Sequence, residues 1–441
     1  MNILHYSLGF PPYRSGGLTK FCMDLMEEQK KKGNKVALLW PGEMKIISET
    51  RIKDHGQVGG IRNFEIVNPT PVSYDEGIQK FDLFQKKGDL KCYQDFLEKY
   101  QPDVIHVHTL MGLHENFLVA AKNKKIRLIF TAHDFFPICP KVTMFRDNQL
   151  CDCVKKCSKC TSCNQTALPI WKVNLLQSKV YRKFKNSIII KKLRKKHRDN
   201  YLSISREEST KVYDENPKDY LKLRAFYKRL LEYMDLIHYN SNITKRVYDE
   251  FLGYFPSKII FITHKDIRDN RKIKKFEASK IRLTYLGPYG GAKGFFLLKR
   301  SLDEVWEERK DFCLNIFFEM DEKPPYTIEH GRYTYNQLEE IFDNTDVLIV
   351  PSIWYETFGY TVVEALSFGV PVIVTKNVGA KDIIPAGGGI IVDDISIDGI
   401  KKVIINLSID KLREMNAAIM KSKSPTNINE MENIIYYELY C

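Results

Sequence analysis

Two glutamates eight residues apart, Glu356 and Glu364, bracket a glycine in the stretch DVLIVPSIWYETFGYTVVEALSFGVPVIV, from Asp346 to Val374. Glu356 lies in a loop, and a helix is expected to start near Tyr360 with Glu364 on it. The first amides of such a helix, at Gly359, Tyr360 and Thr361, have no partner within the helix. A glycine in front of them makes that end attractive to phosphate. Glu364 can accept hydrogen bonds from the paired hydroxyls of one sugar ring, and Glu356 from those of another. Phe358, Gly359 and Tyr360 form the junction that would meet such a ligand. An isolated pair at this spacing is usually a loop acid and a solvated helix residue. The strand before this pair and the small-residue turn after it are what set it apart.

Three other positions carry chemistry. Gly16 and Gly17, in PPYRSGG, follow a first apolar strand and precede a helix, where glycine lets backbone approach a phosphate closely. His133, in TAHD, ends a strand at the edge where open α/β sheets bind ligands. Six cysteines, Cys139, Cys151, Cys153, Cys157, Cys160 and Cys163, crowd a short segment at spacings that can wrap a tetrahedral zinc. His106 and His108 alternate along one strand without an apparent third ligand. One reads as a core residue and the other as a cleft-rim residue.

The elements that must position these residues alternate between strand and helix, the pattern of a parallel sheet covered on both faces. Asn2–Ser7, Val36–Trp40, Val104–Val107, Leu128–Ala132, Leu236–Asn240 and Lys258–Thr263 read as strands, and Leu18–Lys31 as a helix. A charged linker is expected from His264 to Lys280. A second series follows: strands Ile281–Leu286, Cys313–Phe318, Val347–Val350, Val372–Thr375 and Ile390–Val392, with helices Gly294–Glu308 and Thr361–Phe368. The chain of 441 residues therefore divides into two α/β domains, 1–264 and 281–424. An insertion at about 137–217 fits neither alternation. The last segment, 425–441, reads as a helix over Ile428–Tyr440.

The Glu356–Glu364 stretch, with PSIW before it and EALSFGVPVIVT after it, resembles the signature of family-4 retaining glycosyltransferases. The resemblance covers most of the chain except about Cys151 to Lys222. It implies the GT-B architecture, two Rossmann-like domains facing each other across a cleft, with the last helix returning to the first domain. It implies transfer of a hexose from a nucleotide-sugar donor to a hydroxyl acceptor, with the first Glu holding the donor sugar and the second the nucleotide ribose. Gly16 and Gly17 match the loop that closes over the donor diphosphate, and His133 matches a histidine facing the sugar. Lys293 matches the second member of a basic pair at the diphosphate. Pro288 stands where the first member, an arginine, is usual. The phrase HDFFPICPKVTMF followed by cysteines resembles a bacterial subgroup that carries such an insertion. The catalytic residues implied are Glu356, His133 and Lys293. Catalysis is expected to need no metal, consistent with the absence of any D-x-D in the sequence. A sugar-nucleotide epimerase of the same fold is a variant of this expectation.

Composition narrows the partners. Of the net charge of +13, the segment Lys172 to Arg198 supplies eleven cations and no acid, leaving 57 basic against 55 acidic residues elsewhere. Val173, Leu176, Val180, Phe184 and Ile188 fall on one helical stripe among these cations. A basic amphipathic helix suits an anionic membrane surface. Such a location would suit a lipid-linked acceptor, and the resemblance implies a lipid-linked or saccharide acceptor in bacterial surface polysaccharide or glycolipid synthesis. The alternative is a solvated helix covering the first domain. A nucleic-acid-binding protein using the cysteines and the basic helix is a different class of reading. It leaves both Rossmann-like halves without purpose, so no nucleic acid is expected. For the cysteines the favoured reading is a structural zinc held by four of the six. A reduced loop or a disulfide knot is the alternative. The opening residues do not read as an export signal and no stretch is apolar enough to span a bilayer, so a cytoplasmic location, peripheral on the inner face of the membrane, is expected.

Overall fold

The computed structural model of the chain describes all residues except 46–48, 74–76, 147, 152–156, 158, 186, 188–189, 191, 193–216 and 278. Two sheets organise it. The first contains β1 (Asn2–Tyr6), β2 (Lys35–Pro41), β3 (Arg51–Val58), β4 (Ile61–Val67), β5 (Val104–Val107), β6 (Arg127–Ala132), β9 (Leu236–Tyr239) and β10 (Ser257–Ile259). A small hairpin, β7 (Phe145–Arg146) and β8 (Gln149–Leu150), lies apart. The order is β10-β9-β6-β5-β1-β2-β4-β3, parallel throughout except for β3 against β4. The second sheet contains β11 (Ile281–Tyr285), β12 (Phe312–Ile316), β13 (Thr327–Glu329), β14 (Val347–Val350), β15 (Val372–Thr375) and β16 (Gly389–Val392). Its order is β13-β12-β11-β14-β15-β16, all parallel.

These orders decide where ligands can go. In an open parallel sheet the crevice lies at the carboxyl edge where strand order reverses. In the second sheet that point is between β11 and β14, so the loops after Tyr285 and Val350 meet there. In the first sheet it lies between β1 and β5. The central strands β1, β5 and β6 are nearly all buried, including the polar His5, His106 and Thr131 among their apolar residues. The helix Gly17–Lys31 covers them with Phe21, Leu25 and Met26, and Lys30 and Lys31 in its last turn complement the helix dipole.

The linker differs from the expected tether. Residues 260–277 carry almost no regular structure but are packed: Ile267 is buried, Asn270 N–H donates to the Ser367 carbonyl, and Arg271 donates to the Ile419 and Ser422 carbonyls. The expected strand Lys258–Thr263 is shorter, because the chain leaves the sheet after Ile259. The hairpin β3–β4 carries no clear pattern in the sequence, since nearly every residue of β3 is exposed. At the end of the chain the helix Ile428–Ile435 packs on Gly17–Lys31, and the last turn, Tyr436–Tyr440, is π-helical. Lys32 pairs with buried Glu432, and Arg127 donates to the Leu439 carbonyl.

The basic segment is not one amphipathic helix. The helix Ile170–Leu176 ends, and Ser178 caps a new one over Lys179–Phe184. The break occurs because Gln177 is drawn fully into the first domain, accepting from Val72 N–H and donating to the Gly42 carbonyl. The expected stripe is split as a result. Val173 is buried, whereas Val180 and Phe184 are 65% and 51% exposed. Ile188 lies outside the described residues. Trp171 and Leu175 are also exposed, so these helices offer apolar side chains to solvent beside their lysines. Some cations are committed internally. Arg182 pairs at 2.7 Å with the fully buried Glu65 and lies over the Tyr13 and Trp40 rings. Lys185 donates to the Pro12 and Tyr13 carbonyls, which steadies the loop before Gly16.

Candidate active site

The loops leaving β11 and β14 are stitched together at the switch point of the second sheet. Ile353 and Trp354 N–H groups donate to the Ala292 carbonyl, one residue before Lys293. Gly294 then starts the helix Phe295–Glu308 with φ +79°. A Cβ there would stand 1.7 Å from the Pro351 carbonyl oxygen, so only glycine allows the two loops to meet. Lys293 is thereby carried against the second loop, where its ammonium pairs with the Glu356 carboxylate and sits 5.1 Å from the Trp354 ring centroid. The Trp354 indole N–H donates to the same carboxylate oxygen at 3.1 Å. Glu356 is held from behind by the β15 exit: its N–H donates to the Asn377 carbonyl, and Gly379 N–H donates to its carbonyl.

Gly359, at φ +101°, turns the chain into the helix Tyr360–Ser367. Glu364 on this helix is 3% exposed. His264, fully buried at the start of the linker, contacts it at 3.0 Å through Nε2. The Asp266 main-chain N–H donates to His264 Nδ1, so the ring proton is on Nε2 and is given to Glu364. The phosphate-favouring amides and both glutamates thus share one loop–helix unit. Tyr360 leans over this unit, 5.3 Å from the His264 ring. The Phe358 side chain is buried in the core, so it meets a ligand only through its main chain.

The first domain closes the other side. Gly16, at φ +114°, precedes the first helix with nothing within 4 Å of where its Cβ would be. A Cβ on Gly17 would lie 3.3 Å from the Tyr360 ring, which puts the glycine loop directly against the donor helix. Lys20, one turn on, pairs with Asp24 and Asp266 and lies over the Tyr335 ring. Thr357, between Glu356 and Phe358, donates its hydroxyl to the His133 carbonyl at 3.0 Å, and its own carbonyl accepts from Ser241. The structure therefore pairs Lys293 with Glu356, sets Gly17 against Tyr360 on the helix of Glu364, and ties the Glu356 loop to the His133 main chain through Thr357. His264, Lys20 and Thr357 belong to the same neighbourhood and were not singled out in the sequence.

His133 is the half-buried end of a buried histidine group. His106 and His108 are both buried, so the rim assignment for one of them is corrected: each is hydrogen-bonded inside the domain. Burial drives every one of these rings toward the neutral form. The pKa of His5 and of His238 falls to about 4, that of His133 to about 3, and those of His106 and His108 fall well below the usual value. Among the described residues, His5, Cys22 and His108 bring three candidate metal-ligand atoms within 4.8 Å of one another. Both His5 ring nitrogens are already bonded, to His108 and Gln29, so the group reads as a hydrogen-bond network.

Cys153 lies outside the described residues. The other five cysteines of the insertion lie beside the first domain. Cys157 and Cys160 pack with Tyr220, and Cys139 and Cys151 pack against the main core. A hydrogen bond with Cys160, helped by the Arg224 guanidinium, pulls the Cys157 thiol down to about 6. Burial, with the charge of neighbouring Cys163, pushes Cys139 up to about 11.

Two Rossmann-like domains with a cleft of this construction define the GT-B fold. Comparison with known structures agrees: the chain superimposes on HepE of Anabaena in complex with UDP and glucose with a TM-score of 0.55, at 13% identity and covering 100% of this chain and 99% of that one. It superimposes on sucrose-phosphate synthase of Thermosynechococcus elongatus with a TM-score of 0.54, at 12% identity, covering 100% and 96%. Those likenesses establish the fold. Residues 15–150 match the family model described as Glycosyltransferase Family 4, and residues 326–424 match Glycosyl transferases group 1. With both matches on this fold, the chain is a GT-B glycosyltransferase. Among curated proteins it is 20% identical over 401 residues, 86% of each chain, to an "Uncharacterized 42.6 kDa protein in cps region" of Klebsiella pneumoniae. It is 30% identical over 118 residues, 26% of this chain and 23% of the other, to the sulfoquinovosyl transferase SQD2 of Arabidopsis thaliana.

Proposed function

We propose that this glycosyltransferase takes a hexose from a nucleotide-sugar donor and passes it, with retention of configuration, to a hydroxyl acceptor at an anionic membrane surface. The observation that carries the reading is the convergence of Lys293, Glu356, Glu364 and the Gly16–Gly17 loop on one cleft. Glu364, positioned by His264, would hold the ribose hydroxyls. Glu356 would orient the donor sugar, and the amides at Gly359 and Tyr360 would face the phosphates. As the sugar–phosphate bond breaks, the diphosphate gains negative charge. Lys293 can exchange its single carboxylate partner for that anion, which stabilises departure without a metal ion. Among the described residues no carboxylate is placed as an obvious nucleophile, so attack on the same face, with the leaving phosphate taking the acceptor proton, is the route favoured.

The acceptor side rests on the first domain. Trp171, Leu175, Val180 and Phe184, exposed beside Lys172, Lys179 and Lys183, would enter an anionic interface and bring a lipid-linked acceptor to the cleft. The relative in a cps region accords with a role in surface polysaccharide synthesis.

A panel of sugar nucleotides screened by thermal shift identifies the donor. A ligand at one hundred times its Kd adds roughly 2.7 kcal/mol to stability. The matching donor is then incubated with acceptor, and the anomeric configuration of the product is read by NMR. An inverted product, or an epimerised sugar with free nucleotide in the absence of acceptor, would overturn the proposal. Full activity without added divalent metal, and no gain on adding magnesium or manganese, is the outcome expected for the metal-free step.

A further inference from the structure

We infer that Gln29 and Tyr440 are positioning residues for His133: they complete one continuous, one-way hydrogen-bond chain that holds His133 as its Nε2–H tautomer and leaves Nδ1 as a hydrogen-bond acceptor beside the donor loop.

The chain crosses the middle of the first sheet over four adjacent strands, β9, β6, β5 and β1, in which Thr131 is in register with His238 and His5 with His106. It starts from His238 Nε2, 2.8 Å from the Ile260 carbonyl oxygen. His238 Nδ1 is 2.9 Å from the Thr131 hydroxyl, which is 2.6 Å from His106 Nε2. His106 Nδ1 is 2.7 Å from the Tyr440 hydroxyl, and that oxygen is 3.1 Å from Gln29 Nε2. Gln29 Oε1 is 2.7 Å from His5 Nε2, His5 Nδ1 is 2.9 Å from His108 Nε2, and His108 Nδ1 is 3.2 Å from His133 Nε2. All members except His133 are buried.

One group fixes every proton. A carbonyl only accepts, so the proton of His238 is on Nε2. A neutral imidazole has one proton, so His238 Nδ1 is bare and the Thr131 hydroxyl donates to it. Thr131 has spent its proton and accepts from His106 Nε2–H. His106 Nδ1 is then bare and takes the Tyr440 proton. Tyr440 must accept from the Gln29 amide, which turns the Gln29 carbonyl to His5. The same step repeats through His5 and His108 and ends with His133 donating from Nε2. The depressed basicity of all five histidines, four of them buried and His133 half-buried, keeps each ring neutral. Reversing one member requires reversing all those beyond it, so the sense is held cooperatively.

The consequence for substrate rests on the nucleotide-sugar reading: Nδ1 of His133 suits a sugar hydroxyl and opposes a carboxylate. The chain itself does not depend on that reading. Without the Tyr440 hydroxyl, the part anchored on Ile260 keeps its sense. The part from Gln29 to His133 loses its anchor, and Gln29 is free to turn over.

Long-range proton–nitrogen NMR of the full-length protein labelled in its histidines, without substrate, reads the tautomers directly. The five rings are expected to be neutral and Nε2–H. In Tyr440→Phe and in Gln29→Leu, His133 is expected to populate Nδ1–H while His238 remains Nε2–H. In Gln29→Glu, an acceptor-only side chain, His133 is expected to stay Nε2–H. Alongside, kcat/KM for the donor falls about tenfold in the first two variants and recovers in the third. An Nδ1–H ring at His133 in the unaltered protein overturns the inference, as does an unchanged His133 in both Tyr440→Phe and Gln29→Leu. Should the variants fail to fold, the spectrum of the unaltered protein decides alone.

Discussion

Thr357 donates its hydroxyl to the main-chain carbonyl of His133 at 3.0 Å. This bond joins the loop that carries Glu356 to the strand end that carries the histidine, across the boundary between the two domains. Any relative motion of the domains must break or carry this bond, so the cleft's two halves are coupled at the place where the chemistry is proposed.

The two glutamates are expected to separate by kinetic effect. Glu364→Ala raises the Kd for nucleotide and leaves His264 Nε2–H buried without its acceptor, at a stability cost of about 1–3 kcal/mol. Glu356→Ala lowers kcat with little change in nucleotide affinity. Calorimetric titration with nucleotide, together with steady-state rates, checks both. Normal turnover in both variants would remove the donor-site assignment.

Gly294→Ala tests the crossing of the two loops. The added Cβ meets the Pro351 carbonyl and forces φ +79° on an L-residue. A loss of at least 1–2 kcal/mol is expected from the backbone strain alone. Denaturant unfolding measures it, and donor turnover falls with it because Lys293 precedes the glycine.

Stability should decline as pH falls below the ordinary histidine range. His5, His133 and His238 have folded-state pKa values depressed to about 4, 3 and 4, so in the unfolded chain each takes up a proton near pH 6.5 that it refuses in the fold. The stability present above pH 6.5 is therefore lost as pH drops from there toward 4, at about 1.4 kcal/mol per pH unit for each such ring. Urea midpoints at pH 7.5 and pH 5.5 read the slope. Equal midpoints would show that these rings are not buried neutral.

The insertion is expected to bind zinc. Cys157 and Cys160 are hydrogen-bonded to each other and pack together against Tyr220, so one pair of the six thiols is already assembled. Elemental analysis of protein purified without added metal should find at least one zinc per chain. A metal-free protein with oxidised cysteines would favour the disulfide alternative.

Membrane binding should fall with salt, because exposed charges are screened. Sedimentation with anionic vesicles is expected to capture the protein at low salt, and Trp171→Glu with Phe184→Glu should release it. Absence of binding to both neutral and anionic vesicles at low salt would leave a soluble acceptor.

The sequence by itself determined most of the parallel strands, though not β3, β4 or β13, together with the division into two α/β halves and the loop–helix unit holding Glu356 and Glu364. These are local: apolar runs, a glycine at a turn and a helix start are written in consecutive residues. Tertiary structure decided what those residues touch. Nothing near His264 foretells that it will meet Glu364, one hundred positions on, and the charged stretch it opens reads as a tether. The basic segment has helical spacing, yet Gln177 breaks it because a buried amide finds partners at Gly42 and Val72. His133 was legible at a strand end. The chain behind it, closed by Gln29 and Tyr440 from opposite ends of the sequence, was not, because hydrogen bonds across a sheet leave no periodic trace in the order of residues.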